Sequence, residues 1–262
     1  MRIRASLFWG IVLVLAAGLM LLRQFNYIGN DIFGYLWPLV VIFIGIWLVI
    51  GYFARGRKVE GQSQSIPLQN AASASIKLDH GAGRLKVHSG AAVGDVLTGI
   101  FSPEVDTHSQ LNGDRLEVRM KHASQFLDWF PGDSFDWDIA LTTDIPLSLD
   151  IDNGASASVI DLSDLKVTEL DIDTGASSTE VTLPANAGNT HVDIDTGASS
   201  LVLTIPQGVA ARIRIQTGVS SVDVDSRFPS VGDHTYQSTD YTTAANKADI
   251  TIDSGVGSIE IR

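Results

Sequence analysis

Two Asp-Thr-Gly triplets, Asp173-Thr174-Gly175 and Asp195-Thr196-Gly197, are the residues whose types most invite chemistry. An aspartic protease uses a pair of such loops to hold two carboxylates around one shared proton. Apolar residues before each triplet and a small residue after it also suit that use, but the spacing argues against it. The copies lie 22 residues apart, and the same slot elsewhere reads Asp152-Asn153-Gly154, Gln216-Thr217-Gly218 and Asp253-Ser254-Gly255. Neighbouring repeats cannot face each other across a substrate cleft, and a slot that varies along an array is a structural corner. No catalytic residue is assigned, and the chain reads as non-enzymatic.

Other chemistry is weaker still. The chain has no HExxH, no Gly-x-Ser-x-Gly elbow and no phosphate loop ending in Gly-Lys-Ser/Thr. His80, His88, His108, His122, His191 and His234 are scattered without metal-ligand spacing. His191, Asp193 and Asp195 alternate and so share one strand face, where a hard cation would find oxygens; a solvated polar face explains them more simply. No metal or cofactor is expected. The absence of cysteine excludes a disulfide framework and a thiolate site.

The charge is divided unevenly. Residues 1–60 carry six basic and two acidic side chains, a net of +4, and residues 61–262 carry 12 and 28, a net of −16. Nucleic acid is thereby excluded as a partner, because binding a polyanion requires clustered Lys and Arg.

The triplets belong to a repeat. LDIDNGASASVIDL from Leu149, LDIDTGASSTEVTL from Leu170 and VDIDTGASSLVLTI from Val192 are followed by IRIQTGVSSVDVDS from Ile213 and ITIDSGVGSIEIR from Ile250, and preceded by IKLDHGAGRLKVHS from Ile76. The shared glycines are Gly81, Gly154, Gly175, Gly197, Gly218 and Gly255, with central steps of 21, 22 and 21 residues. Apolar and polar residues alternate on both sides of each glycine, which is the strand period. Each unit therefore reads as strand, Gly-Ala-Ser corner, strand. Glycine suits the corner because it accepts positive φ and lets backbones approach closely, and Pro184 and Pro206 close the second strand.

A coil this short cannot bury its apolar face alone, so neighbours must stack. The expectation is a β-solenoid-like stack of parallel rungs of about 21 residues, with a β-sandwich of hairpins as the alternative. Register would then place Asp150, Asp171 and Asp193 in one column, continuing to Arg214 as a neutralising end, and Asp152, Asp173 and Asp195 in another. Less regular sequence over residues 90–148 suggests strands near 96–101, 115–120 and 137–141. Phe126, Trp129, Phe130, Phe135 and Trp137 surround a Pro-Gly turn. They read as a loop plugging the open end of the core, with a membrane or partner contact as the alternative.

Before the repeats stand two uncharged stretches, residues 5–22 and 32–54, each long enough to cross a hydrocarbon core. The resulting organisation is a two-helix transmembrane hairpin over 1–58, a linker over 59–74 and an all-β repeat domain over 75–262. Arg2 and Arg4 precede the first span, and Arg55, Arg57 and Lys58 follow the second. That bias puts both ends, and with them the β-domain, in the cytoplasm.

YLWPLVVIFIGIWLVI from Tyr35 resembles the transmembrane region of LiaI/LiaF-like bacterial proteins, and IPLSLDIDNGAS from Ile145 with the two DIDTGASS copies resembles the β-repeat domain of LiaF-type and toast-rack proteins. The resemblance implies a multi-pass protein of the bacterial cell membrane and a role in cell-envelope stress, as a regulator or scaffold working through protein contacts. It implies as partners the lipid bilayer and a membrane protein such as a sensor kinase; no kinase-contacting residue carries over, and self-association into a homo-oligomer is left open. The alternative is a structural, adhesin-like envelope protein with its repeat domain outside.

Overall fold

The computed structural model describes residues 61–102, 105–122 and 135–262. The expected transmembrane hairpin lies outside these residues, as do Phe126, Trp129 and Phe130.

Thirteen strands make one sheet: β1 (Gln62–Pro67), β2 (Ser73–Ser89), β3 (Asp95–Ser102), β4 (Val105–Asn112), β5 (Arg115–His122), β6 (Asp136–Leu141), β7 (Leu147–Asp161), β8 (Val167–Thr182), β9 (Asn189–Thr204), β10 (Ala210–Val224), β11 (Ser230–Gly232), β12 (Thr235–Gln237) and β13 (Lys247–Ile261). Strands expected near 96–101, 115–120 and 137–141 correspond to β3, β5 and β6. β1 and the start of β2 occupy part of the stretch read as a linker.

Each repeat is one long strand running through its glycine, where separate strands on either side were expected. Burial shows how the bend works. In β8, Leu170, Ile172 and Thr174 are buried and Asp171 and Asp173 exposed; beyond Gly175 and Ala176, both exposed, Thr179 and Val181 are buried. The inward phase thus slips by one residue at the glycine, so that both arms of the strand turn their apolar faces to one core. Leu149, Ile172, Ile194 and Ile252 from the first arm share a single cluster with Ile160, Val181, Leu203 and Ile261 from the second.

Parallel ladders join β2, β7, β8, β9, β13 and β10. A solenoid stacks its coils in chain order; here β13 is inserted between β9 and β10. The alternative of stacked hairpins fails because the rungs are parallel. At the other end β2 forks: its first arm pairs with β5 and its second with β6. β4 extends the first branch, and β3 and β1 extend the second.

Candidate functional site

The glycine column sets the geometry of everything near it. A Cβ built on Gly154, Gly175, Gly197, Gly255 or Gly218 would stand 2.5–2.7 Å from the carbonyl oxygen of the glycine in the neighbouring rung. Close backbone approach is therefore the reason for glycine at these five positions. Positive φ is not, since of the six corner glycines only Gly81 has it, at 77°.

Outside the corner, the Asp-x-Gly slots of β7, β8, β9 and β13 and the Gln216-Thr217-Gly218 slot of β10 line an open groove of about 660 Å³. Asp152, Asp173, Asp195 and Asp253 stand in register along it, and Asp79 of β2 continues the column beyond its lining. Asp150, Asp171 and Asp193 form the second column. Neighbours in such columns are about 4.8 Å apart. Like charges at this spacing disfavour ionisation. The Asp171 carboxyl is raised above the usual carboxylate range, first by partial burial and then by Asp173, Asp150, Asp193 and Asp195. Burial and the charges of Asp193, Asp253 and Asp173 raise Asp195 in the same direction.

The basic ends of the Asp150–Asp171–Asp193 column differ from expectation. Lys77, opposite Asp150 in β2, donates to its carboxylate at 2.7 Å. Thr251 stands between Asp193 and Arg214 because β13 intervenes. Arg214 instead pairs with Asp249 at 3.0 Å, so it does not neutralise Asp193. Lys77 was legible in the repeat alignment, where IKLDHG places it at the first Asp position.

The residue before each glycine is polar and neutral in five of the six rungs: Asn153, Thr174, Thr196 and Ser254, which are buried inside the corner, and Thr217, which is exposed. The Ser177 hydroxyl donates to Thr174 Oγ1 at 3.0 Å, and Asn153 Nδ2 donates to Ser158 Oγ at 3.3 Å. The two Asp-Thr-Gly triplets thus have their carboxylates outward in one column and their threonines inward, an arrangement that cannot bring two carboxyls to a shared proton across a cleft. His191, Asp193 and Asp195 do share a face, and among the described residues no group of three or more His, Asp or Glu is placed to hold a metal.

Of the aromatic group, Trp137 is buried in the core, edge-on to Phe101 and His80 at centroid distances of 5.6 and 5.0 Å. Phe135 packs against His122 at 4.7 Å. His80 itself is the functional-site candidate that sequence reasoning passed over. Its signal was positional, a titratable residue in a slot otherwise held by Asn, Ser and Thr.

Residues 55–205 match the family model described as the N-terminal domain of toast_rack, DUF2154. The chain belongs to the toast-rack family. Residues 7–49 match the LiaI-LiaF-like transmembrane region, which makes this toast-rack chain a LiaF-like membrane protein. Among the described residues no helix is long and apolar enough to cross a membrane; the matched region lies outside them. A solved structure of a candidate cell adhesion protein from Clostridium sporogenes shares the fold, with a TM-score of 0.69 and 20% identity over 77% of this chain and 98% of that one. A search of curated proteins found no match.

Proposed function

We propose that this toast-rack protein is a membrane-anchored, non-enzymatic component of the bacterial envelope that regulates or scaffolds envelope-stress signalling. Its stack of parallel rungs would serve as a rigid display, and its partner would be a membrane protein of the sensor-kinase kind. The carrying observation is the in-register rack, β7, β8, β9, β13 and β10, whose outward aspartates and small polar residues are matched from rung to rung. Such a surface suits recognition by another protein, with rigidity supplied by the shared core. The basic flanks of residues 1–58 favour a multi-pass arrangement with the β-domain in the cytoplasm.

A second reading, an adhesive protein with the rack outside the cell, draws support from the shared fold with the Clostridium sporogenes protein. Protease treatment of intact cells separates the two. The signalling reading expects the β-domain to survive external protease and to be digested once the membrane is opened. Photocrosslinking from an outward position such as Ser178 in native membranes should then capture a membrane protein. Digestion from outside would contradict the cytoplasmic arrangement and favour adhesion.

A further inference from the structure

The residue before the corner glycine is buried and neutral in β7, β8, β9 and β13, and neutral but exposed in β10, whereas β2 places His80 there, fully buried. Its Nε2–H donates to the carbonyl oxygen of Phe135 at 3.1 Å. That tautomer leaves Nδ1 as a lone pair, and Nδ1 has no hydrogen-bond partner. The Phe135 carbonyl also accepts the Arg84 N–H at 2.9 Å, so it lies at the point where the second arm of β2 begins to pair with β6. One residue past the start of β6, Trp137 packs edge-on against the same imidazole. His80 therefore supports both the backbone and the core side chain that attach β6 to the rack.

The groups around it fix what a second proton would meet. From β7 comes the Asn153 amide, whose Oδ1 has no donor. From β5 comes His122, whose ring packs edge-on against Phe135. From β6 comes Asp136, whose carboxylate is held by Arg84 through two hydrogen bonds of 3.0 and 2.6 Å. On β2 itself, Asp79 points out toward Lys77 and Arg119. A fully buried imidazolium here would be opposed by desolvation and by the His122 ring, and favoured only by the Phe135 carbonyl, the neutral Asn153 amide and an Asp136 carboxylate that Arg84 already holds.

We propose that His80 is an acid-sensitive latch: when protonated, it loosens β6 from the second arm of β2 while the glycine rungs β7, β8, β9 and β13 stay in place. Burial holds the His80 imidazole below its ordinary value of 6.5, and this outweighs the opposing influence of the Phe135 carbonyl and the neighbouring Asn153 amide. The linkage sign follows. A histidine kept neutral in the closed state binds its proton less readily there than in the opened state, so closure is favoured above about pH 6.5 and weakens as pH falls through and below that value.

The test is hydrogen–deuterium exchange by mass spectrometry on the full chain in lipid nanodiscs at pH 7.5 and 5.0, corrected for intrinsic exchange. Peptides covering β6 and the 84–89 arm of β2 should lose protection severalfold at pH 5.0, and peptides from β8 and β9 should not. His80→Asn, which installs the residue β7 uses in the same slot, should abolish the difference, and His80→Gln provides a second neutral variant should the first misfold. Equal protection of β6 at both pH values in the wild-type chain would overturn the latch. So would an acid loss that spreads equally over β8 and β9, or one that persists in either folded variant.

Discussion

At Gly175 the missing side chain is what allows the rungs to close up: a Cβ there would stand 2.6 Å from the Gly154 carbonyl oxygen, a backbone atom that cannot swing away. Gly175→Val or Gly197→Val should therefore cost about 3 kcal/mol or more through crowding and strain. Asp173→Asn removes one exposed charge from a repulsive column and should leave thermal stability unchanged or slightly higher. Calorimetry on the three variants checks the contrast, and a larger loss for Asp173→Asn would mean the carboxylate has a role the corner does not explain.

Asp171 gives a second, pH-dependent expectation. Its folded-state value is raised above 3.8, so the folded chain binds the proton more readily than the unfolded one. Stability contributed by this site is thus greatest at acid pH and declines as pH rises through the unfolded and then the folded value, the reverse of a salt-bridged aspartate. Asp171→Asn should raise the melting temperature at pH 7 and confer progressively less as pH falls toward 4. Exposure and salt keep the gain under about 1 kcal/mol. Asp150 makes the contrasting case, because Lys77 sits against it; Asp150→Asn should give no such gain.

At the scale of the element, the alternating pattern around each glycine made the rungs and their register legible, and the two aspartate columns lie as the repeat alignment places them. What alternation does not encode is stacking order. β10 and β13 carry the same pattern, and nothing local states that the last rung slides in between β9 and β10. The small β11–β12 hairpin that covers part of the first arm of β10 was equally silent, since strands of three residues leave no period to read. The continuous bend was missed because a glycine invites the idea of a break, whereas here it only shifts the inward phase by one residue.

Cysteine pairs test the order, in a chain with no cysteine of its own. Asp193 and Thr251 are register partners, within disulfide range for adjacent strands, whereas Asp193 and Arg214 stand two strands apart. Asp193→Cys with Thr251→Cys should crosslink under mild oxidation, and Asp193→Cys with Arg214→Cys should not. The opposite result would restore chain-order stacking.

For the whole molecule, one physical balance dominates. A net charge of −16 over residues 61–262 is carried in good part by columns of aspartate on a rigid surface, and the apolar interior of both arms holds those columns in register against their repulsion. Added salt screens that repulsion, so stability should rise with ionic strength. The central claim is that the repeated Asp-x-Gly slots are architecture, their carboxylates outward and their glycines stacked, rather than a catalytic or metal site. The most direct measurement is the melting temperature of the chain in calcium chloride against sodium chloride at matched ionic strength, with Asp171→Asn and Asp193→Asn measured alongside. Equal rises in the two salts are the predicted result. A calcium-specific rise that either substitution removes would contradict the claim and make the aspartate columns a metal site.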